Sequence, residues 1–295
     1  MQTQHLPLVL GLALAACAGG PKNQSISRTR LDAAGMERYK ALVTEGDTLW
    51  KERLDQQKLL GAIGKWQEAV ALKSDDAETY AKLARANYLL ADGFLSFDPA
   101  KEGEFLATHE KGMEWGEKAM LAISPDFEKK RQLGAKMVDA VLVLQRDGVP
   151  AMYWYATNLG KWAKFKGMPT MLEHKDTIYA IVNRVKELDP DYFYGAADRY
   201  FGGYYAAAPS FAGGDLVKSE QYFAEAVKKY PYYLATHVLI ADLLAPKKQD
   251  RALFERELKF VLDTPSDSMP DMIPEQEIEK RKAKKLLQDI DDKFE

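Results

Sequence analysis

The chain has 295 residues, of which 46% are hydrophobic and 29% are charged, so it can bury a core and lacks the composition of a disordered protein. Its 41 Lys and Arg are balanced by 44 Asp and Glu, and the signs are interspersed, which excludes the basic stripe expected of a nucleic-acid-binding protein. A single cysteine excludes an intrachain disulfide and a cysteine-based zinc site.

The first feature in chain order is a short apolar run over residues 6–16 that ends in Leu14-Ala15-Ala16-Cys17. Such a run cannot span a hydrocarbon core of about 30 Å, which needs about 20 apolar residues. It is typical of a bacterial lipoprotein signal peptide, in which a cysteine after small residues is alkylated by a diacylglyceryl group. We predict a signal peptide over residues 1–16, lipidation of Cys17, and no cofactor besides that covalent lipid.

Residues 1–5 contain no Lys or Arg, although a signal peptide normally carries one. The alternative is an uncleaved apolar N-terminus with an incidentally buried Cys17. Ala18 follows the cysteine where inner-membrane lipoproteins usually have Asp. We therefore expect a lipid anchor in the outer membrane, with the folded body on the periplasmic side of the cell envelope.

Residues 17–30 are polar and lack hydrophobic periodicity, which predicts a lipidated, flexible tether. From residue 31 to 295 the pattern is helical, and hairpin turns between β-rich runs are absent. Capping boxes predict helix starts at Asp75 with Glu78 and at Thr170 with Glu173. The expected fold is all-α, with about a dozen helices in one domain.

Those helices contain a degenerate internal repeat. Residues 65–76 and 114–126 each carry an aromatic residue, then an alanine, then a turn six residues later, and residues 185–191 and 226–231 share the ending. This resembles the second helix and closing turn of a tetratricopeptide repeat, but the spacing is irregular. We expect stacked antiparallel helical pairs in a TPR-like superhelical bundle, which leaves a curved binding surface.

Residues 149–165 form a helix on which aromatic side chains cover more than half of the circumference. Tyr155 and Trp162 follow one face, and Trp154 and Asn158 follow a neighbouring face. Two interpretations remain open. Either this is a central core helix in contact with neighbours on all sides, or one aromatic face lines a cavity for an apolar ligand.

Residues 198–215 combine glycine pairs with a helix stop. Gly202-Gly203 lies within a helical pattern at a cost of about 1 kcal/mol per glycine, which indicates close packing or a bend. Pro209 ends the helix, Gly213-Gly214 makes a turn, and Asp215 can cap the next helix. Because no phosphate-loop spacing is present, we interpret this segment as a structural turn.

These motifs resemble those of the TatT family, the lipoprotein components of certain TRAP transporters. The shared features are the cysteine motif, the aromatic helix beginning Pro-Ala-x-Tyr-Trp at Pro150, and the Gly-Gly-Tyr, Ala-Pro and Gly-Gly-Asp motifs of residues 202–215. The resemblance covers residues 31–245. It implies an all-helical fold with hidden tetratricopeptide repeats, a homotrimer, and a hydrophobic channel through each protomer.

The resemblance further implies that the channel passes an apolar or organic-acid solute to or from a periplasmic solute-binding protein. We expect the channel lining to include Tyr153, Trp154, Asn158, Trp162, Tyr204 and Tyr205. We expect the mouth that faces the partner at the turn of Pro209, Phe211, Gly213, Gly214 and Asp215, with Phe211 pointing outward. Leu159 stands where many members have tryptophan, so we expect a different cavity wall there.

Catalytic and metal-binding patterns are absent from the sequence. His109, His174 and His237 are isolated, with His109 expected on a solvated helix face and His237 in the core. No nucleophile elbow is present. We therefore predict no catalytic residue and no metal site. A glycosidase-like pair of carboxylates from distant segments stays open as a third class, but nothing favours it.

The main alternative to a solute carrier is a lipoprotein scaffold for protein–protein interaction in the envelope. A scaffold would bury Trp154 and Trp162 in solid core. A carrier would leave some of these side chains bordering a void, which makes their surroundings the discriminating observation.

Overall fold

The computed structural model describes residues 25–28 and 30–294. The predicted signal peptide, the lipidation of Cys17 and most of the tether therefore lie outside the described residues. Within them the chain is 83% helical and has no β-strand, which confirms the all-α prediction. The end of the predicted tether lies against the body, because Ile26 N donates to Glu128 Oε1 at 2.9 Å and Arg28 pairs with the same carboxylate at 3.1 Å.

The helices follow one another with short connections. In chain order they are α1 (Ala33–Lys51), α2 (Gln56–Leu72), α3 (Ala77–Gly93), α4 (Glu102–Ile123), α5 (Pro125–Gln132), α6 (Met137–Ala140), α7 (Val149–Lys166), α8 (Met168–Leu188), α9 (Tyr192–Ala207), α10 (Leu216–Lys229), α11 (Leu234–Leu239), α12 (Ala245–Lys247), α13 (Arg251–Asp263) and α14 (Ile273–Gln288). A π-helical segment, Ile240–Leu244, joins α11 to α12. Short 3-10 helices span Leu95–Phe97, Pro99–Lys101, Val141–Val143, Arg146–Gly148, Ser210–Ala212, Ser266–Ser268, Pro270–Met272 and Ile290–Asp292.

Helices adjacent in the chain pack against each other. The most extensive contacts join α1 to α2, α3 to α4, α7 to α8 and α9 to α10, and α4 also packs on α7. Because the connections are short, adjacent helices run antiparallel, as in an αα-hairpin. That these helical pairs are degenerate tetratricopeptide repeats stays a prediction.

The predicted capping boxes are both wrong by a few residues. The N-cap of α3 is Asp76, whose side chain accepts from Thr79 N at 3.2 Å, so Asp75 lies one residue too early. Helix α8 begins at Met168, after Gly167 with φ 103°, and Thr170 lies inside its first turn. The prediction at Asp215 is confirmed, because its carboxylate accepts from Lys218 N at 3.1 Å.

A buried amide joins three helices. The side-chain nitrogen of Asn158 on α7 donates to Ala84 O of α3 at 3.1 Å and to Trp154 O at 2.7 Å. Both amide protons are thereby used, so Asn158 Oδ1 accepts from His109 Nδ1 of α4 at 2.9 Å. The expected solvation of His109 is wrong, because this side chain is fully buried, and burial lowers its pKa to about 4. The ring is therefore neutral near pH 7.

The other core histidine has the predicted surroundings. His237 is 5% exposed, its Nδ1 lies 2.7 Å from Glu257 Oε2, and its Nε2 lies 2.9 Å from Pro231 O. Both ring nitrogens are thus satisfied within the protein. His237 is a core residue whose two ring nitrogens both lie against protein oxygens.

We predict that Gly112→Ala lowers the free energy of unfolding by about 1–3 kcal/mol, because a Cβ at this position of α4 would overlap the buried Asn158 amide. Gly103→Ala on the same helix is the control, since nothing lies within 4 Å of its Cβ. The control should leave stability unchanged or raise it, by up to about 1 kcal/mol. Urea unfolding of both variants measures the difference, and equal stabilities would contradict this account of the junction.

Candidate functional site

A cavity of about 730 Å³ lies among six helical elements. One face each of α3, α7, α8, α9 and α14 lines it, together with a face that runs from α11 into the π-helical segment. The volume falls within the range of about 300–1,000 Å³ typical of small-molecule sites. π-Helical turns are also rare and concentrate at functional positions. This cavity is therefore the candidate functional site.

The lining residues of α7 follow a single helical face. Tyr153, Thr157, Gly160 and Lys164 border the cavity at intervals of three and four residues, which places them in one row. At a rise of 1.5 Å per residue, this row runs about 16 Å from Tyr153 to Lys164. The cavity is therefore elongated along α7.

The void exists because the helices facing it carry small residues. Ala156 and Gly160 of α7 and Gly203 and Ala207 of α9 all line the cavity. A Cβ at Gly160 would meet only an Ile178 methyl at 4.0 Å, so a larger side chain there would project into the open space. The glycine pair thus has two roles: Gly203 borders the cavity, whereas Gly202 allows Phe223 to approach closely.

The two ends of the cavity differ in chemistry. Aromatic rings cluster where α7 begins, with the ring centroids of Tyr153 and Trp154 4.8 Å apart and those of Trp154 and Phe193 4.9 Å apart. Toward the end of α7 the lining becomes charged, with Lys161 and Lys164 facing residues of α14. The site is therefore amphipathic along its length.

The aromatic end rests on an unusual backbone turn. Phe193, Tyr194 and Gly195 at the start of α9 have φ of 44°, 58° and 71°, a left-handed conformation that costs roughly 1–2 kcal/mol for each non-glycine residue. The buried Arg199 guanidinium holds this turn by donating to Tyr194 O at 2.8 Å and Phe193 O at 3.2 Å. The turn presents the Phe193 ring to the cavity.

A second pocket, of about 410 Å³, shares a wall with the main cavity. Arg85 and Phe193 line both spaces, and the Arg85 guanidinium lies 4.9 Å from the Phe193 ring centroid. An ion pair of 2.8 Å to Glu275 fixes Arg85, and Arg53 pairs with the same carboxylate at 2.6 Å. We call Arg85 and Phe193 the partition.

The structure brings together only part of the predicted channel lining. Tyr153, Trp154 and Tyr204 border the cavity. Asn158 does not, because it is fully buried between α3, α4 and α7. The other two members of the predicted set lie elsewhere: Trp162 donates to Glu110 at 2.9 Å, and Tyr205 stacks on Tyr222 with ring centroids 5.6 Å apart.

The predicted partner-facing turn lies at the end of α9. Pro209 lines the cavity, and Phe211 is 82% exposed. Gly213 is left-handed with φ 96°, and a Cβ at Gly214 would overlap the carbonyl of Ala208, so this tight turn requires glycine. Asp215 caps α10 and does not contribute to the cavity.

The aromatic pattern of α7 matches the cavity face only at the start of the helix, where Tyr153 and Trp154 border the cavity. The aromatic positions Tyr155 and Trp162 mark packing faces, whereas the cavity face carries Ala156, Gly160 and lysines. Leu159 is a core residue with 4% exposure and does not border the cavity, so the expected change of its wall at this position is wrong. The row of small residues at helical spacing marks the cavity face of α7. The aromatic residues of the same helix obscured this signal.

Residues 25–28 and 30–294 contain neither a candidate metal cluster nor a candidate membrane span. No group of three or more His, Cys, Asp or Glu side chains in this part of the chain could hold a metal ion. None of its helices has the length and apolar character needed to cross a membrane.

The chain matches a known protein family. The family model for the TAtT, TRAP transporter T-component, matches residues 106–294, which is more than half of the chain and includes α7 to α14. No match was found among curated proteins.

Proposed function

The chain belongs to the TRAP transporter T-component family, and on that premise we propose that its cavity binds an apolar or organic-acid solute and passes it to or from a periplasmic solute-binding protein. The observation that carries this proposal is the cavity of about 730 Å³ with aromatic rings at one end. Its volume and mixed lining suit a small organic molecule. In this role the protein has no catalytic residue.

The surroundings of the tryptophans favour a carrier over an envelope scaffold. Trp154 borders the cavity, as a carrier requires, although only 4% of the residue is exposed. Trp162 does not border the cavity and therefore does not distinguish a carrier from a scaffold. A scaffold has no use for a row of small residues that leaves an internal void, since unfilled space forfeits packing energy.

The shared wall between the two pockets supports a path through the protomer. Among the described residues, the two of the partition, Arg85 and Phe193, are the ones that line both spaces. A rotation of the Phe193 ring and release of Arg85 from Glu275 would join the two spaces. The protomer channel implied by the family resemblance would then run from the second pocket, past the aromatic rings, to the main cavity.

Exposed apolar residues support a docking surface near the cavity. Phe211 is 82% exposed, and Met168 and Leu172, which line the cavity, are 47% and 37% exposed. Apolar side chains in this setting are typical of protein–protein contacts. We propose that the solute-binding protein docks here, once per protomer of a homotrimer.

Family membership implies association with the cell envelope. We propose that this association is made by lipid on Cys17, with the body on the periplasmic side and the outer membrane as the anchoring membrane. The cysteine motif of residues 14–17 supports the proposal. The short polar segment after Cys17 would hold the body close to the bilayer.

Filling the cavity should abolish solute binding. We predict that Gly160→Leu weakens binding of the neutral apolar dye N-phenyl-1-naphthylamine at least tenfold, because the new side chain occupies the void while leucine favours the helix by about 1 kcal/mol. Gly64→Leu on α2 is the control, since nothing lies within 4 Å of a Cβ at Gly64 and this residue does not border the cavity. Fluorescence titration gives both affinities. Unchanged dye binding in the Gly160 variant would rule out the cavity as its site.

A charge on the exposed turn should impair docking. We predict that Phe211→Glu weakens association with the solute-binding protein proposed as its partner by about tenfold or more, as is usual for an aromatic interface anchor. Leu133→Glu is the control, because Leu133 is 77% exposed and lies outside the cavity lining. Biolayer interferometry measures the affinities, and light scattering measures the oligomeric state. Equal effects of the two changes would remove the turn from the interface.

The anchor depends on a thioether that serine cannot form. We predict that Cys17→Ser moves the protein from the membrane fraction to the soluble or unprocessed fraction. Mass spectrometry of the mature N-terminus should find a lipid-modified Cys17 in the unaltered protein. An unmodified Cys17, or a mature chain that begins elsewhere, would disprove the anchor.

A further inference from the structure

The main cavity carries more cations than anions. Six lysines and two arginines line it against five carboxylates, although the chain as a whole has a formal net charge of −3. An excess of positive charge within a partly apolar space requires a counter-charge. The question is which cation lacks one.

Most of the cavity cations are already engaged. Asp92 binds Lys161 and Lys282, each at 2.5 Å, and these two partners hold its pKa well below the usual range although burial alone would raise it. Asp242 binds Lys293 at 2.8 Å. These carboxylates therefore have their own partners.

The two arginines are engaged as well. Arg85 pairs with Glu275, and Arg199 donates to the carbonyls of Phe193 and Tyr194. Their positions are fixed by structural roles at the aromatic end. Neither is free to bind a ligand without loosening the partition or the left-handed turn.

Two lysines of the lining differ from these cations, because neither Lys164 nor Lys285 of α14 forms an ion pair within the described part of the chain. Of the two, Lys164 belongs to the row of cavity-lining residues on α7. It lies three residues after Lys161 on the cavity face of α7, and within residues 25–28 and 30–294 no carboxylate lies within 4 Å of its ammonium group. Partial burial by the cavity walls lowers its pKa, Lys161 and Lys293 lower it further, and Asp242 opposes the shift. The residue is nevertheless exposed, so a ligand in the cavity can reach it.

We propose that Lys164 binds the head group of a monoanionic amphiphile, of the class of long-chain carboxylic acids, whose apolar body extends along α7 to Tyr153 and Trp154. This inference rests on the proposed solute-binding function and adds the ligand's class and its orientation. An anion beside Lys164 relieves the repulsion among three neighbouring ammonium groups. Coulomb attraction at such a site is only partly screened by water.

The geometry between the two ends suits such a ligand. Lys164 and Tyr153 are separated by about 16 Å along the helix axis. The lining between them on α7 is small, with Ala156 and Gly160, and Leu243 of the π-helical segment also faces the space. An unbranched chain can therefore pass from the cationic end to the aromatic rings without crossing a charged residue of α7 other than Lys161.

The test compares a charged and a neutral form of one ligand. The probes are 11-(dansylamino)undecanoic acid and its methyl ester, titrated by fluorescence into the complete mature chain with Cys17→Ser, which removes the lipid anchor. The unaltered cavity should prefer the acid about tenfold, in line with a charge-assisted contact. Lys164→Gln should remove most of this preference while leaving ester binding unchanged.

Matched variants separate a head-group contact from a general loss of charge or structure. Lys166→Gln, an exposed lysine on the same helix that does not line the cavity, should keep the preference for the acid. Lys164→Arg should restore it. Circular dichroism and thermal unfolding confirm that each variant is folded.

The outcomes distinguish this inference from the proposed function. Equal affinity for acid and ester, or an acid preference that survives Lys164→Gln, would overturn the role of Lys164, while ester binding that Gly160→Leu abolishes would still support the carrier. If neither probe binds, the solute-binding function fails and this inference fails with it.

Discussion

The side-chain amide of Asn158 fixes the relation between α3, α4 and α7, on which the cavity depends. Its two protons bind carbonyls on α3 and α7, and its oxygen accepts from the neutral His109 on α4. Such a network is rigid because each broken bond would leave a buried polar group without a partner. These bonds hold α7 through Asn158, which does not border the cavity. The cavity face of α7 can therefore border an open space without collapsing into it.

The aromatic end depends on a second fixed point. Arg199 binds the carbonyls of a left-handed turn that two bulky residues would not adopt unaided. Its guanidinium also lies 4.4 Å from the Tyr233 ring centroid, which ties the turn to the neighbourhood of α11. The strained backbone at Phe193 is therefore held in place by Arg199 of α9 and by Tyr233, which directly precedes α11. The result is a ring placed between two pockets.

Charge organises the other end of the cavity. Asp92 on α3 joins lysines of α7 and α14, so one carboxylate links three helices that are far apart in the chain. Asp92 is thus neutralised within this cluster, whereas Lys164 and Lys285 line the cavity without an ion pair in the described part of the chain. The same helix, α7, thus contributes apolar surface at its start and a cation near its end. An elongated amphiphile matches this gradient.

The helical fold, the cavity-lining segment around residues 149–165, the turn at Gly213-Gly214 and the family resemblance could all be predicted from the amino-acid sequence. These follow from local properties: periodicity, capping, glycine conformation and short motifs. It also identified Tyr153, Trp154 and Tyr204, which do border the cavity.

Which face of α7 borders a void depends on how the other helices pack around it. Periodicity groups residues into faces but does not say what each face meets, and aromatic faces suit a packed core as well as a cavity. Asn158 lies on the same predicted face as Trp154, but its buried amide binds Ala84 O of α3 and His109 of α4 instead of bordering the cavity. The void forms where small residues of α7 and α9 coincide, and Lys164 borders it without an ion pair of its own. Both facts depend on helices distant in sequence.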